Sequence, residues 1–181
     1  MSVTIGSSEP PTEAVRLRPL RASDEQVVRA AHEEIARIDG FDFALGLTPA
    51  MSWPEYLAAL DDYRHGVNLP VGIVPATFLV ATIGDEIVGR AAIRHTLNDH
   101  LRQRGGHIGY AVLLAYRRRG YGTQILRESV QIARRIGIGD ILISCEETNI
   151  GSRRIIESGG GRFDSAATWH DGNRIRHYWI K

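Results

Sequence analysis

The chain has 181 residues, 43% of them hydrophobic and 24% charged, which is enough apolar material for one full core and too little length for a second domain of ordinary size. Its 22 basic and 21 acidic side chains leave a formal charge of +1, so no global field draws it to nucleic acid or to an anionic membrane. A single cysteine excludes an intramolecular disulfide, and no stretch approaches the roughly 18 apolar residues of a membrane span, so a soluble cytoplasmic protein is expected.

Residues 1–13, with Gly6-Ser7-Ser8-Glu9-Pro10-Pro11, read as a flexible leader, and residues 14–181 as one domain. Residues 14–20 alternate apolar and basic side chains like an edge strand. Ser23-Asp24-Glu25-Gln26 reads as a capping box opening a helix whose Val27, Val28, Ala31, Ile35 and Ile38 share one face and whose end is Gly40. Ser52-Trp53-Pro54-Glu55 repeats the signal and leads a second helix to about His65. The apolar connection between them, with Phe41 and Phe43, either staples the helices to a sheet or lines an acceptor pocket.

Residues 76–83 and 86–93 predict two antiparallel strands joined by Gly84-Asp85. A polar loop follows around residues 98–105, then a strand over residues 106–114. After a glycine turn, Ile125, Leu126, Val130, Ala133 and Ile136 recur at helical spacing up to Gly137. Residues 141–145 predict a buried strand, Asn149-Ile150-Gly151-Ser152 opens another helix, and residues 162–168 and 174–180 form a last hairpin around Asp171-Gly172-Asn173. The order is β-α-α-β-β-β-α-β-α-β-β, a mixed α/β fold with a mostly antiparallel sheet flanked by helices.

Chemistry concentrates at Arg117-Arg118-Arg119-Gly120-Tyr121-Gly122-Thr123, between strand and helix. Its glycines allow a tight turn with no side chain between backbone and ligand. The helix behind it offers unpaired N–H groups and a positive dipole end to a pyrophosphate. Neither G-x-x-x-x-G-K-[ST] nor G-x-G-x-x-G is present. Arg127, Arg134 and Arg135 extend the basic cluster, the last two as a solvated face.

The spacing Arg-x-x-Gly-x-Gly resembles the coenzyme A loop of the GCN5-related N-acetyltransferases (GNAT). Asn149, Ser152 and Gly160 fall on that family's second pattern, while Ile156 stands in place of its tyrosine and Gly161 in place of its phenylalanine. The resemblance covers residues 106–163, and the element order extends it to the whole chain. It implies acetyl-CoA as cosubstrate and no metal, with the cofactor arm entering a gap between splayed fourth and fifth strands. Pantetheine amides are then expected on Val112, Leu113 and Leu114, and phosphates on residues 117–123, with Asn149 and Ser152 beside the cofactor. The acceptor is expected to be a small-molecule amine, and a homodimer is the common assembly of such enzymes.

Attack of a neutral amine on the thioester calls for a base, an oxyanion donor and a proton for the leaving thiolate. His107 is the first candidate for the base, because its strand position lies near the acidic residue several family members use; His95 and Glu146 are rivals. Tyr110 is the proton donor nearest to the vacated tyrosine role. Strict alternation puts it on the face opposite His107 unless the strand bulges at Gly109. Cys145 reads as a core residue and not as an acetyl carrier. Asp39, Asp42, Asp61 and Asp62 are candidates for recognising a cationic amine. Loss of the tyrosine keeps a noncatalytic acyl-CoA sensor as the alternative, whereas a nucleic-acid module has only the arginine run in its favour.

Overall fold

The computed structural model describes residues 14–181, so the leader expected over residues 1–13 lies outside the described residues. Seven strands and five helices follow the expected order with one addition. They are β1 (Arg16–Arg18), α1 (Glu25–Asp39), α2 (Trp53–His65), β2 (Ala76–Ile83), β3 (Glu86–Arg94), α3 (Asp99–Gln103), β4 (Ile108–Val112), α4 (Tyr121–Arg135), β5 (Ile141–Glu146), α5 (Ile150–Ser158), β6 (Arg162–Thr168) and β7 (Arg174–Ile180). The addition is α3, in the loop after β3, where the Asn98 side chain accepts the Leu101 N–H at 2.9 Å and caps one short turn of helix.

Helix ends follow local chemistry. Ser52 accepts the Glu55 N–H while the Glu55 carboxylate takes the Ser52 N–H, the reciprocal cap expected there. The box expected at Ser23 is displaced. Ser23 lies inside a 3₁₀ turn, and the buried Asp24 carboxylate instead accepts the Arg21 N–H at 2.7 Å and both guanidinium nitrogens of Arg18 at 2.7 and 2.9 Å. An arginine two residues after the start of β1 outcompetes the helix for that carboxylate, because a paired, charge-assisted contact is stronger than a neutral cap.

The strands form two sheets, β1-β2-β3-β4 and β5-β7-β6, antiparallel throughout. On one face of the first sheet, Phe78, Val80, Ala92, Ala111 and Leu113 pack under α1 and α2 with Val28, Ile35, Phe43 and Tyr56. On the other, Leu79, Ile93 and Ile108 meet Leu126, Ile143, Ile156 and Tyr178 from α4, α5 and the second sheet. Phe43 is fully buried, which settles its half of the α1–α2 connection as a staple, while Phe41 lies at the surface under the Arg90 guanidinium, 5.7 Å from its ring centre. No helix among the described residues is long and apolar enough to cross a membrane.

Candidate active site

The two sheets meet at one seam. Gly106 bridges Ile143, the His107 N–H donates to the Leu142 carbonyl at 2.7 Å, and the Leu142 N–H donates to Nδ1 of His107 at 2.9 Å. Beyond it β4 pairs only with β3 and β5 only with β7, so the two strands part. Tyr110, three residues past His107, and Cys145, three residues past Leu142, both pack against the same buried cluster, and Cys145 is near enough to act on the Tyr110 hydroxyl electrostatically. Both strands therefore leave the seam in the same direction, and a wedge opens between them.

The β3–β4 register alternates which backbone groups face this wedge. Leu113 donates to the Val88 carbonyl at 2.9 Å and the Arg94 N–H to the His107 carbonyl at 2.7 Å. The backbones of residues 107, 109, 111 and 113 thus pair with β3, and those of Tyr110 and Val112 point into the gap. This narrows the expected pantetheine strip. Leu113 is committed to β3, Leu114 begins a 3₁₀ turn, and the Val112 N–H with the Tyr110 backbone supplies the free edge. The register is unbroken from Ile108 to Val112, so the bulge expected at Gly109 is absent and His107 and Tyr110 keep opposite faces.

At the mouth of the wedge the arginine–glycine turn leads into α4. Arg118 at φ 64° and Gly120 at φ 80° both adopt the left-handed conformation, and no backbone carbonyl takes the amides of Arg118, Arg119 or Gly120. Tyr121 and Gly122 add the orphan N–H groups of a helix start, with Thr123 half-buried behind them. The side chains divide the work. Arg117 pairs with Asp39 and donates to the Val112 carbonyl at 3.2 Å, which ties the loop to α1 and β4 and occupies that carbonyl. Tyr121 is buried in the core and Gly122 packs against Ile155, so these two offer only backbone. The exposed Arg118 and Arg119, the latter over the Tyr116 ring at 5.7 Å, are the cations that remain for phosphate. Across the gap Asn149 caps α5 by accepting the Ser152 N–H at 2.9 Å.

The Tyr110 hydroxyl is buried without a hydrogen-bond partner at good geometry. Burial pushes its pKa up to about 12, with the nearby Ser152 hydroxyl only partly offsetting this, so it is a protonated donor at neutral pH. The His107 ring is different. Its Nδ1 lone pair is taken by Leu142, and burial with Arg102 and Arg94 nearby pushes its pKa down. Neutral His107 therefore carries its proton on Nε2. His95 is held by Thr77 at 2.8 Å, and Glu146 is paired with Arg104 at 2.7 Å. Burial raises the Cys145 thiol to about 11, which keeps it protonated and unreactive. A pocket of about 370 Å³ lies on the face of the second sheet away from α5, lined by Leu142, Ile175, His177, Trp169 and Trp179, away from the glycine turn.

Parting strands, a free β edge and a helix start with bare amides at the mouth define the cleft of an acyl-CoA transferase. The family model described as an acetyltransferase (GNAT) domain matches residues 14–162, and the chain belongs to that family of acetyl-CoA-dependent transferases. Among solved structures, RimJ of Mycobacterium smegmatis in complex with CoA-disulfide has a TM-score of 0.70 at 20% identity, covering 94% of this chain and 83% of its own. RimL, the ribosomal L7/L12 alpha-N-protein acetyltransferase in complex with coenzyme A, has 0.66 at 14% identity over 92% and 93%. The yncA structure from Salmonella typhimurium with its cofactor acetyl-CoA has 0.62 at 17% identity over 93% and 94%. At these identities the likeness is one of fold. A comparison with curated proteins finds no match.

Proposed function

We propose that the protein transfers the acetyl group of acetyl-CoA directly to the primary amine of a small-molecule acceptor. The observation that carries this reading is the run of unpaired amides from Arg118 to Gly122 at the open end of a gap whose β4 edge is also free. Diphosphate oxygens fit the first and pantetheine amides the second. The acceptor amine attacks the thioester carbon, the C–N bond forms, and the oxyanion is met by a β4 amide at Tyr110 or Val112. The C–S bond then breaks and the thiolate takes the Tyr110 hydroxyl proton, while the amine loses its surplus proton to solvent. His107, with its Nδ1 occupied, serves as the clamp of the seam.

The small-molecule reading is supported by Arg90 and Arg94, whose guanidinium groups flank Gly109 on the α1/α2 face of β4 and suit a small polar acceptor. A noncatalytic acyl-CoA sensor is the second reading, favoured by Ile156 in the tyrosine position. One experiment tests both: CoA release across a panel of primary amines, for the wild type and Tyr110→Phe, with acetyl-CoA affinity measured alongside. Turnover that falls about 100-fold in the variant at unchanged affinity supports a general acid. An unchanged rate removes Tyr110 from the reaction, and tight binding with no turnover on any amine establishes the sensor.

A further inference from the structure

On the acceptor side of β4 lies a cluster that cofactor binding does not use. Arg90 and Arg94, each two residues along β3 from the Ala92 that pairs with Gly109, project to the α1/α2 face on either side of that glycine. One nitrogen of each guanidinium comes within 3.3 and 3.5 Å of the point where a Cβ on Gly109 would stand, so the two cations converge on space that only glycine leaves open. Neither has a carboxylate partner among the described residues. Arg90 reaches only the Asp42 carbonyl at 3.3 Å and leaves its buried Nε–H unbonded; Arg94 reaches the Gly106 carbonyl at 3.1 Å. Asp42 itself is exposed and turned to His32 at 3.8 Å. The hydroxyl of Tyr56, a residue fully buried on α2, has no partner either.

Two converging cations and two unbonded buried donors, with no carboxylate at ion-pair distance and only the weaker field of Asp42 to offset them, are costly in a folded chain. The cost shows in the electrostatics: burial first, and then the like charge of Arg94, pushes Arg90 down to about 10, while Arg90 and Tyr56 each feel the other's field. A bound oxyanion satisfies the whole set, because a carboxylate or phosphate accepts from paired guanidinium groups and a phenol together.

We infer that the acceptor amine carries an anionic oxygen group, a carboxylate or a phosphate, and that Arg90, Arg94 and Tyr56 bind it on the α1/α2 face of β4. This rests on the transferase reading and narrows its substrate class. It replaces the expectation that Asp39, Asp42, Asp61 and Asp62 recognise the acceptor, each of which lies beside a side chain of its own, Arg117, His32, His65 and Asn68 respectively.

The test uses the CoA-loaded protein and the arginine Nε–H resonances in ¹⁵N NMR. The probes are N-acetylglycine, N-acetyl-O-phosphoethanolamine and neutral N-acetylglycinamide. The Arg90 Nε–H should shift saturably with one or both anionic probes and not with the amide, and the stronger of the two identifies the anion. Arg94→Gln should abolish the shift and Arg94→Lys, which keeps a charge, should weaken it. Tyr56→Phe should weaken probe binding several-fold without lowering the melting temperature, because its hydroxyl is unsatisfied in the free protein. Failure of both anions to shift the resonance, an equal response to the amide, or a shift that survives Arg94→Gln overturns the inference. The Gly120 amide in the same samples reports cofactor binding. An anion response without a CoA response there would overturn the transferase reading and leave the anion site standing.

Discussion

His107 shows how little a residue type says about its role until its partners are known. As a histidine on a strand beside the reaction centre it had the right chemistry for a base, and nothing in the sequence announces that the Leu142 amide takes its Nδ1. That contact joins residues 35 positions apart and exists only once the two sheets have met. It has a pH signature. Burial lowers the folded pKa below the ordinary 6.5, so on acidification the unfolded chain binds the proton first. Stability is therefore full above about 6.5 and falls as pH drops through that value, until the folded ring also protonates and the seam bond breaks. Urea unfolding at pH 7.5 and 5.5 should show this loss in the wild type and a smaller one in His107→Asn. Equal pH dependence in the two proteins would mean the ring does not hold the strands.

At the scale of elements, α5 explains both departures from the family pattern as one packing unit. Ile156 is fully buried, and a Cβ at position 161 would stand 2.5 Å from its Cγ2 and 2.8 Å from its carbonyl oxygen. An isoleucine that fills the core below the gap requires glycine where the chain doubles back over it, so the two exchanges are coupled sterically. Reinstating the tyrosine alone would overpack this corner. Ile156→Tyr is expected to cost about 1–3 kcal/mol of stability without raising turnover, which a melting curve and a CoA-release assay on the same sample will check; a faster and equally stable variant would show that the pocket still accepts the phenol. Other elements were legible because their signals are local. The Ser52 cap, the Gly84-Asp85 turn and the final hairpin fall where the sequence put them. The short helix α3 was not, since five residues carry too little periodicity to register.

For the whole molecule, the order of strands was readable but their parting was not. Alternation and turn residues set the β4 face assignments, yet which backbone groups stay unpaired depends on where the second sheet leaves the first, and a seam of a few contacts decides that. The cofactor loop was readable in its glycines, whereas the partners of its arginines were not. Arg117 stands in the pattern as a phosphate ligand and in the fold as a brace to Asp39 on α1. The Arg90–Arg94 pair escaped notice for the same reason, because two arginines on a strand look like ordinary surface charge until Gly109 is found between them.

Acetyl-CoA is proposed to be held in the wedge by backbone amides. An amide-resolved ¹⁵N NMR titration with acetyl-CoA tests it directly. The largest saturable shifts are predicted at residues 118–123, with a second set at Tyr110 and Val112 along the β4 edge. Shifts that leave these amides in place and gather elsewhere, for instance around Trp169 and Trp179 on the far face of the second sheet, would contradict it.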